Sequence, residues 1–181
     1  MRHGERPALG GLHHLKVGRN VINQKERNTA VTTHVNRFVV GLDDQNRSAI
    51  LQRGLTNVKS QEGSYWSATL WATQETPVDN MIAGDRSQAA LAPEGLEPFP
   101  NGLICRALEI APGAGFPMHY TDTLDCLTCV HGEIYLLTET DEVLMQPGDT
   151  VIIRGVNHAW SNRSSEPCLV VGTNTDATPL R

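Results

Sequence analysis

Two histidines and a carboxylate lie on short apolar runs in the second half of the chain, where they could act together. His119 opens one run, Asp125 follows six residues later, and His158 lies on a later run. Two imidazoles and one carboxylate can hold a transition metal and leave coordination positions open to a ligand. The same three groups could instead transfer protons without a metal. The residue types alone leave both kinds of chemistry open.

The runs that carry these residues have the pattern of β-strands separated by turns. From Leu103 onward, short apolar segments alternate with turn sequences such as HG, QPGD and RGVN, without a long helical pattern. Many short strands at this spacing favour an antiparallel sandwich or barrel, so we predict an all-β fold. The strands predicted here cover 103–110, 119–121, 125–130, 133–138, 143–145, 150–153, 158–161 and 168–172.

The chain before Leu103 is more varied. Residues 1–32 lack a periodic apolar pattern and are interpreted as an N-terminal arm. Turn residues between 36–40 and 48–52 predict a β-hairpin, and alternation over 63–73 predicts a further strand. The Pro- and Gly-rich residues 77–102 predict a long loop, within which a short helix at 85–91 is one option. We therefore interpret 33–102 as lead-in strands and loop, in one domain with 103–175.

Composition argues against several classes of function. The chain has 181 residues, enough for one domain, and its formal net charge of −5 offers no basic surface for nucleic acid or an anionic membrane. No apolar run approaches the roughly 20 residues of a membrane span, and no continuous apolar stretch resembles a secretory signal. The four cysteines lie in apolar runs, so we expect reduced thiols and a cytoplasmic protein.

Residues 103–172 resemble the cupin superfamily, whose two sequence motifs flank a hairpin in a small double-sheet barrel. The first motif of the family pairs glycines with histidines and a carboxylate, and the second begins with PGD and ends in glycine, histidine and asparagine. The residues that fit these places are Gly113, His119, Asp125, Gly132, Pro147, Gly148, Asp149, Gly155, His158 and Asn162. The resemblance implies a double-stranded β-helix, the cupin jelly-roll barrel, with N-terminal strands and an extended N-terminal arm.

The resemblance also implies that His119, Asp125 and His158 converge inside the barrel. The chain departs from the family pattern at Thr121, which stands in the place of a second histidine, and at Asp125, which replaces a glutamate. A site with three histidines and a glutamate is therefore not carried over. The three converging residues would bind a divalent metal (Fe, Mn, Zn or Ni), or would share the proton transfer with no cofactor at all.

The period of two along a strand extends this predicted pocket. Alternate residues share a face, so Thr121 would accompany His119, and Trp160 would accompany His158. By the same rule Leu127 and Cys129 would share the face of Asp125, while Cys126 would point the opposite way. A buried Arg106 would need a carboxylate, from the protein or from a ligand. The predicted substrate-binding residues are Thr121, Trp160, Leu127, Cys129 and Arg106.

The function that follows is a small-molecule cupin enzyme acting on an oxygenated organic acid, ketone or aromatic metabolite. Its chemistry would be metal-assisted, in the manner of a dioxygenase or lyase. One alternative is a metal-free isomerase, dehydratase or cyclase that uses histidine and aspartate as acid and base. Another is a cupin that binds a small ligand without catalysis. The family resemblance further implies a homodimer, with apolar interface residues at Phe38, Val40, Tyr65, Trp66 and Trp71.

Overall fold

The structure is a computed structural model that describes residues 35–55, 58–61, 64–81, 84–85, 87 and 97–180. The predicted arm over 1–32 lies outside the described residues, as does most of the optional helix at 85–91. The strands of the described part are β1 Asn36–Leu42, β2 Ser48–Leu55, β3 Val58–Gln61, β4 Tyr65–Thr73, β5 Leu103–Ile110, β6 Gly115–His119, β7 Thr123–His131, β8 Ile134–Leu137, β9 Glu142–Met145, β10 Thr150–Arg154, β11 His158–Ser161 and β12 Cys168–Asp176.

These strands form two larger sheets and a separate hairpin. One sheet has the order β10-β7-β12-β5-β4-β3 and the other has the order β6-β11-β8-β9, while β1 pairs only with β2 among the described strands. Neighbours in both sheets run antiparallel. The predicted all-β jelly roll is confirmed, with two sheets that enclose one interior.

The core lies between the two sheets and contains side chains from both. Ile110 and Val170 come from the six-stranded sheet, whereas Ile134, Met145 and Trp160 come from the four-stranded sheet. The strands place these residues inside because every second side chain faces the same way, as the burial pattern of β8 shows. Burial of this apolar surface is the main stabilising contribution to such a sandwich.

Glycine permits the tight turn between β7 and β8. Gly132 has a φ of 68°, and an added Cβ would lie 2.3 Å from the carbonyl oxygen of Pro167. A left-handed conformation disfavours other residues, and here the space is closed as well. Gly155 turns the chain between β10 and β11 in the same left-handed region, with a φ of 64°. These two turns set the strands that carry Asp125 and His158 in their places.

The hairpin and β4 differ in exposure. Phe38 and Val40 of β1 are 62% and 66% exposed, so they lie on an uncovered apolar face. Trp66 of β4, by contrast, is buried with Ala68 and Ala107 on the outer side of the six-stranded sheet. Trp66 is therefore a core residue of this chain, which corrects its assignment to an interface. No helix in the described part of the chain has the length and hydropathy needed to cross a bilayer.

Candidate functional site

A cavity of about 90 Å³ opens between the sheets, at the end of the interior where the polar residues collect. Its wall combines a few polar side chains with a larger apolar surface, which is the usual make-up of a small-molecule site. The lining residues are Glu97, Arg106, Leu108, Ile110, Phe116, His119, Thr121, Thr123, Asp125, Leu127, His158, Trp160, Val170 and Asn174.

The two histidines of the site face each other across neighbouring strands. His119 ends β6 and His158 begins β11, and the two residues are partners in the antiparallel register. Their ring centroids lie 4.4 Å apart. Each Nδ1 is 2.8 to 2.9 Å from a backbone carbonyl, Pro117 O for His119 and Val156 O for His158. Because each neutral ring donates from Nδ1 to that oxygen, each Nε2 keeps its lone pair for a ligand.

The environment of His158 favours the neutral imidazole. The ring is buried, with 4% of the residue exposed, and this burial is the largest cause that lowers the pKa of His158. The neighbouring His119 lowers it further, while the carbonyl of Val156 and the charge of Asp125 oppose the shift. At neutral pH the His158 Nε2 is therefore an acceptor, able to take a proton.

Asp125 is held by a chain of two threonine hydroxyl groups. The carboxylate is buried, and its Oδ1 accepts a hydrogen bond of 2.6 Å from Thr123 Oγ1. The Thr123 hydroxyl has a single hydrogen, so it must accept from Thr121 in the 2.7 Å contact between their Oγ1 atoms. The chain therefore runs from Thr121 at the cavity wall through Thr123 to Asp125.

Arg106 provides the positive charge of the cavity. It lies on β5, opposite Gly172 of β12, whereas Asp125 lies on β7, on the other side of β12. Burial lowers the pKa of Arg106, and the attraction of Asp125 raises it, so the guanidinium keeps its charge. A buried cation and a buried anion thus compensate one another within the pocket. The sequence analysis predicted that a buried Arg106 would need such a carboxylate.

Residues 107–173 match the family model described as the cupin domain. This chain carries a cupin domain. The match confirms the resemblance drawn from the two motifs, and it spans the strands that carry Asp125, His119 and His158. The antiparallel double-sheet architecture agrees with it.

Relatives of known name share this cupin domain. Phomopsin biosynthesis cluster protein C' of Diaporthe leptostromiformis is 34% identical over 98 residues, which are 52% of this chain and 51% of that protein. The cupin-domain-containing oxidoreductase srdD of Neurospora crassa is 30% identical over 131 residues, which are 70% of this chain and 65% of srdD. The matches therefore span about half to two thirds of these relatives' length.

A solved RmlC-like cupin from Shewanella frigidimarina is similar in structure as well. Its TM-score with this chain is 0.48 at 14% sequence identity, and the match covers 67% of this chain and 85% of that one.

The cupin interior brings most of the sequence-predicted site residues to one cavity. His119, Asp125 and His158 all line it, and so do the predicted substrate-binding residues Thr121, Trp160, Leu127 and Arg106. Their roles toward a ligand remain predictions.

Cys129 is placed elsewhere, which corrects its assignment to the pocket. It is fully buried in the apolar core, with its Sγ 3.8 Å from Cys168 Sγ. Cys129 does share a face with Asp125 on β7, but four residues along a strand amount to about 13 Å. Burial raises the pKa of both thiols, so they are protonated and inert. Cys126, as predicted, points the opposite way and is exposed.

Three polar residues of the cavity were not predicted, Glu97, Thr123 and Asn174, and Glu97 lies in the segment interpreted as a loop. Thr123 shares the face of Asp125 but precedes the predicted start of that strand at residue 125. A predicted strand that began at residue 123 would have placed Thr123 in the pocket by the period of two. Asn174 was missed because β12 continues to Asp176, beyond the predicted end at residue 172. The Asn174 Oδ1 is buried and has no hydrogen-bond partner in the described part of the chain.

The cupin family implies a metal, and the donor set can be tested against one. Among the described residues, no group of three His, Cys, Asp or Glu side chains is arranged to hold an ion. The rings of His119 and His158 are neighbours, with centroids 4.4 Å apart, whereas Asp125 accepts from Thr123 through Oδ1 and is attracted to the charge of Arg106. The residues therefore do not fit a three-ligand centre, and the predicted metal role of Asp125 has no support in this arrangement.

Proposed function

We propose that this cupin is a small-molecule enzyme that moves a proton on an oxygenated metabolite, using His158 and His119 as acid and base. The observation that carries the proposal is the histidine pair, with ring centroids 4.4 Å apart and both Nε2 atoms available to one cavity. The reaction class is that of an isomerase, dehydratase or cyclase, in which a proton next to a carbonyl is removed and returned.

The His158 Nε2 is the base of this mechanism. Burial and the neighbouring imidazole lower the pKa of His158, so the ring is neutral at pH 7 and can accept a proton from carbon or oxygen. Its Nδ1–H bond to Val156 O, at 2.9 Å, fixes the tautomer and the orientation of the ring. Two charged imidazoles at this separation would repel, and the neighbouring His119 accordingly lowers the pKa of His158.

Asp125 stabilises the imidazolium that forms. Its negative charge favours the protonated form of His158, and the hydrogen bond from Thr123 holds the carboxylate in place. Arg106 balances the charge of Asp125 in the resting site and could polarise a substrate oxygen. The cavity wall is largely apolar, and apolar surroundings strengthen these electrostatic contributions.

The names of the relatives support a small-molecule enzyme of secondary metabolism. Two of them are biosynthesis cluster proteins of phomopsin, and others are named cupin-domain-containing oxidoreductases. What those proteins act on is not transferred to this chain, because the matches span only part of their length.

Proton transfer can be tested without knowledge of the substrate. The purified chain is incubated in D₂O with a panel of hydroxylated and aliphatic ketones, and NMR follows the loss of the signals of protons next to the carbonyl. We expect exchange that depends on the protein and that Asp125→Asn strongly reduces. Ligand binding without any exchange or consumption would favour a binding protein instead.

A metal-assisted oxidoreductase is the second candidate, because several relatives carry that name. His119 and His158 would then be the protein ligands and the remaining positions would be open. Elemental analysis of untagged protein offered Fe, Mn, Zn and Ni decides between the candidates. Stoichiometric metal that His119→Ala removes would favour the second; a metal content far below stoichiometric would remove it.

We also propose that the chain forms a homodimer through the apolar face of the β1–β2 hairpin. Phe38 and Val40 are exposed neighbours on that face, and Ile50 lies opposite Val40 in register. Exposed apolar surface of this kind is typical of a protein interface. Light scattering measures the mass in solution, and Val40→Asp should convert a dimer to a monomer.

A further inference from the structure

Hydrogen-bond acceptors dominate the polar groups of the cavity. The Nε2 atoms of His119 and His158 keep their lone pairs, because each ring donates through Nδ1 to a backbone carbonyl. Asp125 contributes a carboxylate, of which Oδ1 alone accepts from Thr123. The Asn174 Oδ1 adds a further buried acceptor, and it has no partner among the residues that the structure describes.

The unpaired buried acceptor Asn174 Oδ1 implies that a ligand supplies a hydrogen. A polar atom buried without a partner costs about 1–3 kcal/mol, so such atoms persist where a ligand or water satisfies them. Asn174 lies directly opposite Asp125 in the β12–β7 register, and both line the same cavity. A ligand at this point therefore meets several oxygen and nitrogen lone pairs at once.

The charge balance acts against a carboxylate ligand. The positive charge of Arg106 lies in the field of Asp125, which already compensates it. A second carboxylate would face the lone pairs of Asn174 and Asp125 without an uncompensated cation to offset the repulsion. A neutral hydroxyl group, in contrast, donates its hydrogen to an acceptor and accepts from Arg106 with its oxygen.

Size and wall composition restrict the ligand further. The cavity of about 90 Å³ is several times the roughly 10–15 Å³ that one water molecule needs. It therefore has room for a polar group and part of the carbon skeleton that carries it. Phe116, Trp160 and Leu108 make the adjoining wall apolar, and flat or aliphatic carbon surface suits such a wall.

We propose that the cavity selects a neutral ligand with a hydroxyl group on an apolar or aromatic skeleton, a phenol or enol, over the corresponding carboxylate. This inference deepens the proposed function, because it names the substrate class of the same site. The acids named among the expected substrates are thereby disfavoured, and hydroxylated ketones and aromatics are preferred.

Binding of three matched probes tests the selection, with no turnover required. Resorcinol carries two hydroxyl groups, 1,3-dimethoxybenzene blocks both, and benzoate replaces them by a carboxylate. Titration calorimetry or ligand-observed NMR at pH 7.5, with a chelator present, measures the three affinities. We expect resorcinol to bind at least about tenfold more tightly than either of the others, because the loss of even one hydrogen bond has that effect and both other probes lack the hydroxyl donors.

Asn174→Leu tests whether the Asn174 Oδ1 acceptor binds the ligand, and the melting temperature shows whether the substitution alters the fold. The substitution keeps the branching of the side chain at Cγ and removes a buried acceptor that has no partner among the described residues, so the melting temperature should not fall. Resorcinol affinity should drop about tenfold and dimethoxybenzene affinity should stay the same. Asn36→Leu, the same change at an exposed position of β1, should alter neither affinity.

Several results would overturn the inference. Benzoate that binds as tightly as resorcinol, equal affinity for the hydroxyl and methoxy probes, or no binding of resorcinol at millimolar concentration would each do so. Resorcinol binding that requires an added metal would also contradict it, since the acceptors would then serve the ion. If resorcinol binds selectively but no proton exchange occurs, the ligand class stands and the proposed catalysis fails.

Discussion

The two ends of the interior are built on the same strands but contain opposite kinds of side chain. The first buried residues of β7 are the polar Thr123 and Asp125, and the last buried residue of the same strand is Cys129. β12 runs the other way, from Cys168 in the apolar core to Asn174 at the cavity. The end around Cys129 and Cys168 is therefore packed with apolar side chains, whereas the end around Asp125 and Asn174 contains a cavity and buried charge.

This difference separates stability from function within one small fold. Apolar burial stabilises the packed end, and buried polar groups contribute little or cost stability at the other. The same strands, β7 and β12, run through both ends, so apolar packing at one end holds in position the polar residues at the other. Substitutions at the packed end should therefore change the free energy of unfolding, and substitutions at the polar end should change activity.

The largest expected effect is on catalysis at the polar end. His158→Gln removes the base, so the rate of proton exchange should fall about 10²- to 10⁴-fold, while the unfolding transition stays close to that of the unsubstituted chain. NMR exchange rates and urea unfolding measure the two quantities. His131→Gln, the same change at an exposed position of β7, is the control. Equal loss in both variants would contradict the role of His158.

The packed end should show the largest effect on stability. Ile134 is fully buried, so Ile134→Ala should lower the free energy of unfolding by about 2–5 kcal/mol through lost burial and the cavity left behind. Urea unfolding measures this, and Val143→Ala, at an exposed position of β9, should cost less than about 0.5 kcal/mol. Ligand affinity measured well below the unfolding transition should be unchanged, and a loss there would mean that the ends are coupled.

Thr123 tests the link between the ends. Thr123→Val keeps the shape but removes the donor to Asp125, leaving a buried carboxylate oxygen unsatisfied at a cost of about 1–3 kcal/mol. The pH profile of proton exchange should shift as well, which a purely structural role would not produce. Thr128→Val, in the exposed pair with Thr150 on the other half of β7, should affect neither quantity.

The smallest effect concerns pH. Because the pKa of His158 is lowered in the folded state, the unfolded chain binds a proton that the folded chain does not, between that lowered value and the ordinary 6.5. The free energy of unfolding is therefore retained above pH 6.5 and decreases as the pH falls below it. Urea unfolding between pH 8 and 5 measures the slope, which should be smaller in His158→Gln.

The sequence determined the strands and the residues of the site to a large extent. Turn residues such as Gly132 and the alternation along β8 are local properties, so β5 and β8 could be read directly, whereas the strand predicted over 119–121 lies at Gly115–His119 and β3 was not predicted. The convergence of His119, Asp125 and His158 on one cavity was implied by the resemblance to the two cupin motifs rather than by a local pattern. Missed features, such as the extension of β12 to Asn174, lay where no local signal marked the strand end.

Tertiary structure decided what each residue faces. The period of two along β7 predicts that Cys129 and Asp125 share one face of the strand. Only the packing of the two sheets places Cys129 in the apolar core and Asp125 at the cavity. The partner of Arg106 lies across β12, on a strand distant in sequence, so no local pattern could name it. Alternation specifies which side of a strand a residue occupies, whereas contacts between strands specify how far along the interior it lies, and the chemistry depends on both.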